Sequence, residues 1–523
     1  MKTVAVILFR FFQARVFAGL SFRAQFLFNW MYGTLRDTSP KISCLMNACA
    51  INLRTCHKIG LWSVLALTGC TVGPDFHRPD SPAVHGYTAN TDVLPAGRSI
   101  VLGQQAVAQW WTLFSSPALD TLLQQAVGNN HDLAAAKQTL AQAKQMVLAQ
   151  QGMLLPQAGL SAVAGRQKYG VALFGPSNFL IPPFSYIEAG PNISWDADLF
   201  GAGRRSVEYQ TALADYQARE LDAVYVILTG NVVNAALELA ATREELTICR
   251  QIIARDEVLL NLTRVAVADG SATQAEVLHA QARLIADQAQ LPALNQRLSV
   301  SRHTLAILVG NMPAVWSPPD FALRDFTLPR RLPVSLPSAL VRQRPDILAA
   351  EDNLHAASAA IGVATAKLYP DITLSADIMQ EALTPAGLLQ SVNNAWALAG
   401  SVTAPLFSGG TLTAQKRAAE HGYQAALAQY RQTILLAFGQ VADALTALAQ
   451  DETVLAEQQK ATDIASAARR LVRAGLSDGS NNQVQEQEAE RGLAVAQRGW
   501  VQSQYAYDQD AVRLFVALGA GRI

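Results

Sequence analysis

The chain has 523 residues, half of them apolar and only 16% charged, and its formal net charge is zero, a composition that argues for an extended architecture. Non-specific duplex binding rests on basic patches that neutralise phosphates, and beyond residue 70 there is neither net positive charge nor a basic run, so nucleic acid is excluded as a partner. Cys44, Cys49 and Cys56 all precede the first clear apolar core, which leaves Cys70 and Cys249 and makes no disulfide framework.

In chain order, residues 1–45 form an apolar, basic stretch ahead of a second such stretch, and Met46 makes a conventional start, so 1–45 is read as an upstream extension. Residues 46–69 have the layout of a secretory signal: Arg54 and Lys58, the apolar core IGLWSVLAL from Ile59 to Leu67, then small residues. That core is too short to span a bilayer. Leu67-Thr68-Gly69-Cys70 resembles the lipobox of bacterial lipoproteins, which implies cleavage between Gly69 and Cys70 and a covalent lipid on Cys70. Each buried methylene of an acyl chain contributes roughly 0.8 kcal/mol, and stable anchoring takes more than one chain. No other cofactor is expected. Thr71 stands where Asp would favour inner-membrane retention, which is compatible with the outer membrane. Residues 70–114 are then an N-terminal tether segment.

Beyond the tether the chain repeats itself. "NNHDLAAAKQTL" from Asn129 matches "RQRPDILAAEDNL" from Arg342, and "LLPQAGLSA" matches "KLYPDITLSA", both pairs about 214 residues apart. "DADLFGAGRR" from Asp196 matches "TAPLFSGGTL" from Thr403. The expected units are residues 115–313, a linker at 314–334, and residues 335–523.

Each unit carries two segments of period two, the pattern of strands with one polar and one apolar face: about 157–166 and 186–199 in the first, about 371–380 and 395–406 in the second. Glu188, Asn192, Ser194, Asp196 and Asp198 alternate with Ile187, Ala189, Ile193, Trp195, Ala197 and Leu199; Asp371, Thr373, Ser375 and Asp377 alternate with Ile372, Leu374, Ala376 and Ile378. About ten residues is the length a tilted transmembrane strand needs. Four strands cannot stand alone in lipid, because two open edges leave unpaired amides in hydrocarbon, so in a membrane they must close with strands of other chains. A soluble antiparallel sheet with one wet face fits the alternation equally well.

Long helical stretches separate the strands. No proline occurs from Arg204 to Ala268 or from Thr411 to the C-terminus, and Leu221, Tyr225, Leu228, Val232, Ala235, Leu239, Leu246, Cys249 and Ile253 follow coiled-coil steps, as do Ile434, Phe438, Val441, Leu445, Leu448 and Leu455. Cys249 on this stripe reads as a packed thiol. Breaks at Asp269-Gly270-Ser271 and around Gly475, Asp478 and Gly479 predict long helical hairpins over 204–309 and 411–518, with tips remote from the strands.

Several of these residues together resemble the TolC-like outer membrane factors, in particular the NodT-type efflux outer membrane lipoproteins. "CTVGPDFHRP", "WWTLFSSPALDTLL", "RQRPDILAAEDNLHAASAAIGVATAKLYPDITLSA" and the closing "FVALGAGR" carry the likeness, which extends from Cys70 to the end. The resemblance implies an α+β membrane protein: a homotrimer whose four strands per chain form a twelve-stranded outer-membrane β-barrel, continued by a helical periplasmic tunnel and anchored by lipid on the periplasmic side. It implies as partners a periplasmic adaptor (membrane fusion protein), an inner-membrane pump of the resistance-nodulation-division type, and outer-membrane lipid, with export of small molecules such as drugs, toxic compounds or metals. In that picture Glu188, Asn192, Ser194, Asp196, Asp198, Thr373, Ser375 and Asp377 line the barrel lumen, and Asp269, Gly270, Ser271, Gly475, Asp478 and Gly479 are adaptor-docking candidates. The second tip, "GLSDGSNNQVQEQEAER", departs from the family's usual short apolar phrase by being longer and more polar.

Metal and enzyme constellations are missing from the sequence: there is no His-Glu-x-x-His pair, no zinc-spaced cysteine pair, and "FGAGRR" lacks the full nucleotide-binding glycine pattern. No metal site is expected. Three function classes remain on residues alone: a passive export conduit, a lipid-anchored periplasmic coiled-coil adaptor or scaffold, and, remotely, an envelope hydrolase. Four strands arranged as two pairs count against the scaffold, and the lack of a nucleophile-base arrangement counts against the hydrolase.

Overall fold

The computed structural model describes residues 71–84, 86–88, 99–103, 108–168, 182–329 and 331–521. The expectations for residues 1–45, for the signal and for Gly69 and Cys70 lie outside them. A short strand β1 (Ser99–Leu102) is followed by a 3-10 turn at Trp110–Phe114 and by helices α1 (Pro117–Asn129) and α2 (His131–Gly152). Strands β2 (Gln157–Gln167) and β3 (Phe184–Asp196) lead into α3 (Ala202–Ala268), which returns through α4 (Gln274–Gln288) and α5 (Gln290–Leu308). The second half has β4 (Arg331–Val334), α6 (Pro337–Leu340), α7 (Pro345–Ala366), β5 (Asp371–Ala382), β6 (Asn394–Thr403), α8 (Thr411–Ser477) and α9 (Gln483–Ala517). The parallel pair of β1 and β4, too short to leave a periodic signal, joins the tether region to the segment between the repeats.

The duplication is closer in space than in sequence. Both α2 and α7 have 22 residues, and both α3 and α8 have 67, roughly 100 Å of helix each. Gly201 and Gly410, both with positive φ, precede the long helices, which places the second half 209 residues after the first from β3 onward. Matching Leu199-Phe200 with Leu406-Phe407 is therefore two residues out of structural register. The two phrases also differ in environment: Phe200 stacks on Tyr369 at 4.8 Å, whereas Leu406 and Phe407 are 98% and 92% exposed.

The return arms differ for a local reason. Pro292 removes a helical N–H and crowds the carbonyl of Gln288, where α4 ends; α9 has no proline and runs unbroken. The main core lies midway down the helices. There Trp110, Phe114, Val232, Val233, Ala236, Tyr430, Val441, Tyr507 and Phe515 are buried together, and Trp110 stacks on Phe515 at 5.2 Å. Tyr225, Leu228, Val232, Ala235, Leu239, Leu246, Cys249 and Ile253 of the predicted stripe are all buried. Both long helices contain windows apolar enough to cross a bilayer, with mean hydropathy 1.5 and 1.3, but in α3 61% of that window is packed inside the protein, as in a core helix.

Candidate functional site

The four long strands form one antiparallel sheet in the order β2-β3-β5-β6. Register assigns every side chain to a face, since directly opposed residues share one. Gln157 lies opposite Ser194, Asn192 opposite Asp377, Ser194 opposite Ser375, Asp196 opposite Thr373, and Glu188 opposite Glu381. One face thus carries Glu188, Asn192, Ser194, Asp196, Thr373, Ser375 and Asp377, together with Asp371, Ser401 and Thr403. Thr373 donates to the Asp196 carboxylate across the strands at 2.9 Å.

The opposite face is apolar over most of its length. Ala158 lies opposite Ile193, Ala162 opposite Ala189, Trp195 opposite Leu374, Ala376 opposite Leu398, Ile378 opposite Trp396 and Ile372 opposite Val402. The polar residues of this face, Arg166, Ser185, Gln380 and Asn394, gather at the end remote from the helices. Leu160, Leu398 and Trp396 are 82%, 77% and 75% exposed, so among the described residues no layer covers them. Trp195 stands at the helix end, its indole N–H donating to the Leu154 carbonyl at 2.9 Å, and Trp396 stands towards the other end. An apolar band with aromatic residues near both limits is the outer face of a transmembrane β-barrel.

Asp198 does not belong with the polar-face residues. The strand ends at Asp196, and the Asp198 carboxylate turns back to accept the backbone N–H groups of Gly203 and Arg204 at 3.0 and 2.9 Å and pairs with the Arg204 side chain. It satisfies the free amides of the first turn of α3, where a negative charge also complements the helix dipole. Continuing the alternation past the strand end put it in the wrong class.

The hairpin tips are copies of one another. In the first, Ala266 accepts from the N–H groups of Ser271 and Ala272, and Thr273 and Glu276 form a capping box. In the second, Gly475 accepts from Ser480 and Asn481, and Asn482 and Gln485 form the box. Gly270 and Gly479 both have φ +72°, the left-handed turn that glycine adopts without strain. Asp269-Gly270-Ser271 and Asp478-Gly479-Ser480 occupy identical places, and both turns leave five residues between helices. The second tip is thus no longer than the first. Gly475 sits within the last turn of α8, where a Cβ would collide with the Asn481 side chain.

Two constellations escaped the sequence because their members lie far apart in the chain. Near the tips, fully buried Asp256 of α3 accepts from Arg491 of α9 at 2.7 Å, and the same guanidinium reaches Asp287 of α4 at 2.6 Å. Arg283 pairs with Asp256 and with Glu488. Burial, and then the hydrogen bond to Asp287, push the Asp256 carboxyl up. Asp287 is held below the usual range, its own burial being outweighed by the hydrogen bond with Asp256 and by Arg491. This network ties the two hairpins together. Below the sheet, residues 71–78 run as a strap across α3 and α7. Buried Arg205 donates to the Val72 carbonyl and pairs with Asp75 at 2.7 Å, Arg78 pairs with buried Glu351, and Phe76 stacks on His355. A Cβ at Gly73 would collide with the backbone of Gly362, and one at Gly362 would meet the stem of buried Arg205. The strap holds Thr71, next to Cys70, against Gly201 at the helix end of the sheet.

The model of the Outer membrane efflux protein family matches residues 122–311 and 336–520. The Pyoverdine export outer membrane protein OpmQ of Pseudomonas aeruginosa is 32% identical over 436 residues, which are 82% of this chain and 90% of that protein. A Salmonella typhimurium protein named Probable outer membrane lipoprotein SilC is 26% identical over 468 residues, 88% of this chain and 98% of its own length. Among solved structures, the open state of the Neisseria gonorrhoeae MtrE outer membrane channel superposes with a TM-score of 0.75 at 26% identity, covering 86% of this chain and 98% of that one.

Proposed function

The chain belongs to the outer membrane efflux protein family and is the outer-membrane channel of a tripartite efflux system, and within that frame we propose its finer workings. Three copies close their four-stranded sheets into one twelve-stranded barrel, and the helices continue it as a tunnel through the periplasm. Cys70 carries the lipid, at the periplasmic rim of the barrel where the strap places its neighbour Thr71. The tips at Asp269–Ser271 and Asp478–Ser480 meet a periplasmic adaptor and, through it, an inner-membrane pump of the resistance-nodulation-division type. The conduit performs no catalytic step; the pump supplies the energy.

One observation carries this reading: among the described residues, a sheet with two open edges, one apolar face and one polar face, and no layer packed over either face. In water such a sheet would expose an apolar face and two unpaired edges; in a closed barrel the edges pair, lipid covers the apolar face and water wets the other. A periplasmic scaffold has no use for the apolar face. Photo-crosslinking residues placed at Ser271 and Ser480 test the tips. In cells they should yield an adduct whose mass-spectrometric identity is an adaptor of an inner-membrane pump, and position Gln390 at the far end of the sheet should not. Adducts with unrelated proteins at all three positions would remove the docking assignment.

A further inference from the structure

Charge is sorted between the two faces of the sheet. Within the four long strands the carboxylates are Glu188, Asp196, Asp371, Asp377 and Glu381, and register puts all of them on the polar, inward face. Arg166 is the one cationic residue of these strands, and it lies opposite Ser185 on the outward face. Exposed Lys168 follows immediately past the end of β2. The connections beyond add no charge of either sign, since residues 169–183 and 383–393 contain no Asp, Glu, Lys or Arg. A chain whose charges balance overall therefore ends, on the side remote from its helices, with carboxylates inward and a guanidinium outward.

The height of Arg166 says what it meets. Its opposite residue Ser185 is on β3, at whose other end Ile193 lies opposite Ala376, in the middle of β5. At about 3.4 Å per residue and a tilt of roughly 40°, the separation of Ser185 from Ile193 sets Arg166 roughly 20 Å above the middle of the sheet. The hydrocarbon half-thickness is about 15 Å, so the guanidinium stands at the level of lipid headgroups. Neither Arg166 nor Lys168 has an ion-pair partner among the described residues. The planar fork of an arginine matches two oxygens of one phosphate, a lysine supplies a point charge beside it, and the Ser185 hydroxyl opposite Arg166 offers a further donor.

We propose that Arg166 and Lys168 of each chain form a clamp for the phosphate groups of the phosphorylated glycolipid in the outer leaflet. This deepens the barrel reading and rests on it. The leaflet follows from the fold: the helices mark the periplasmic side, and the clamp lies at the opposite end. The partner class follows from charge and continuity. The outward face carries no carboxylate that would repel a phosphate, and it continues the apolar band that lipid covers. The clamp holds the outer rim of the barrel at a fixed height, as the lipid on Cys70 holds the periplasmic rim.

Native mass spectrometry of the full-length protein, extracted in mild detergent and titrated in turn with bisphosphorylated lipid A, dephosphorylated lipid A and phosphatidylglycerol, tests this. Lipid A should add to the trimer in up to three steps. The double variant Arg166→Gln with Lys168→Gln should bind it about 30-fold more weakly, about fivefold for each charge removed. Arg166→Lys should keep most of the affinity, and Lys460→Gln, which removes an exposed charge far down α8, should change nothing. Dephosphorylated lipid A should bind the parent no better than lipid A binds the double variant. Equal affinity of parent and double variant for lipid A, or equal binding with and without its phosphates, overturns the clamp. Phosphatidylglycerol held as tightly as lipid A overturns the choice of glycolipid. The same spectra weigh each assembly: a trimer without the expected lipid binding sinks the clamp and leaves the barrel standing, whereas a monomeric parent overturns both.

Discussion

Arginine at Ala376 should prevent or strongly weaken membrane assembly, whereas arginine at Ser375 should be tolerated. The two positions are adjacent on β5, both half-buried in the chain, and differ in the face they occupy: Ala376 lies between Ile193 and Leu398, Ser375 between Ser194 and Ala399. Ala376 is also near mid-depth. The strand runs from Asp371 to Ala382, and at about 3.4 Å per residue with a tilt of roughly 40° the two ends lie about 13 and about 16 Å away along the membrane normal. An arginine facing lipid at that depth costs about 2–4 kcal/mol per chain, a factor of roughly 30 to 900 in a folding equilibrium, and is tripled if three chains assemble together. Refolding from denaturant into lipid vesicles, followed through the emission of Trp195 and Trp396 as they enter the bilayer, measures this cost. Equal folding of the two variants would show that the outward and inward faces have been exchanged or that this sheet does not cross a membrane.

Four further outcomes are expected. Cys70→Ala should lose the acyl mass in intact-mass measurement and part of its membrane retention after a salt wash. Burial pushes Asp352 up to about 6, against the lowering influence of Arg219 and helped by Asp215 and Glu351. Its native state therefore binds the proton more tightly than the unfolded chain, and its contribution, fully present below about pH 4, fades as pH rises to about 6. Asp352→Asn should remove that slope from thermal melts, a difference on the order of 2 kcal/mol across the window. Arg205→Leu should free the strap, so that chymotrypsin cuts after Phe76, which stacks on His355 in the parent, much faster than in the parent, at an unchanged secondary-structure signal. Asp198→Ala should cost about 1 kcal/mol through the lost cap, read as a lower midpoint of unfolding with no change in trimer mass.

The elements that could be read from sequence are those with a strong period. Strand alternation at Asn192 to Trp195 and the heptad steps from Leu221 to Ile253 each reflect one repeated environment, so a one-dimensional pattern records them, and within the strand bounds the expected residues share their faces. Asp198 shows where such a pattern misleads: polarity continues past the strand end while the backbone has already turned into a helix cap. Arg491, Asp256 and Asp287 show what a pattern cannot contain, since a charge buried by partners more than 200 residues away looks in sequence like any exposed charge on a helix. The same holds for Arg205 and the strap. The two-residue shift between the Leu-Phe phrases has a further origin: similar words stand at different places between register-equivalent Ser194 and Thr403 and the long helices that each precedes by the same distance, and only the hairpin registers reveal it.

Native mass spectrometry of protein extracted from membranes in mild detergent decides whether this chain is one third of a lipid-anchored channel. A trimer of chains that each begin at an acylated Cys70 is the predicted result. A monomer under conditions that preserve other detergent-stable barrels would contradict it, because the open edges of the sheet would then have no strand to pair with.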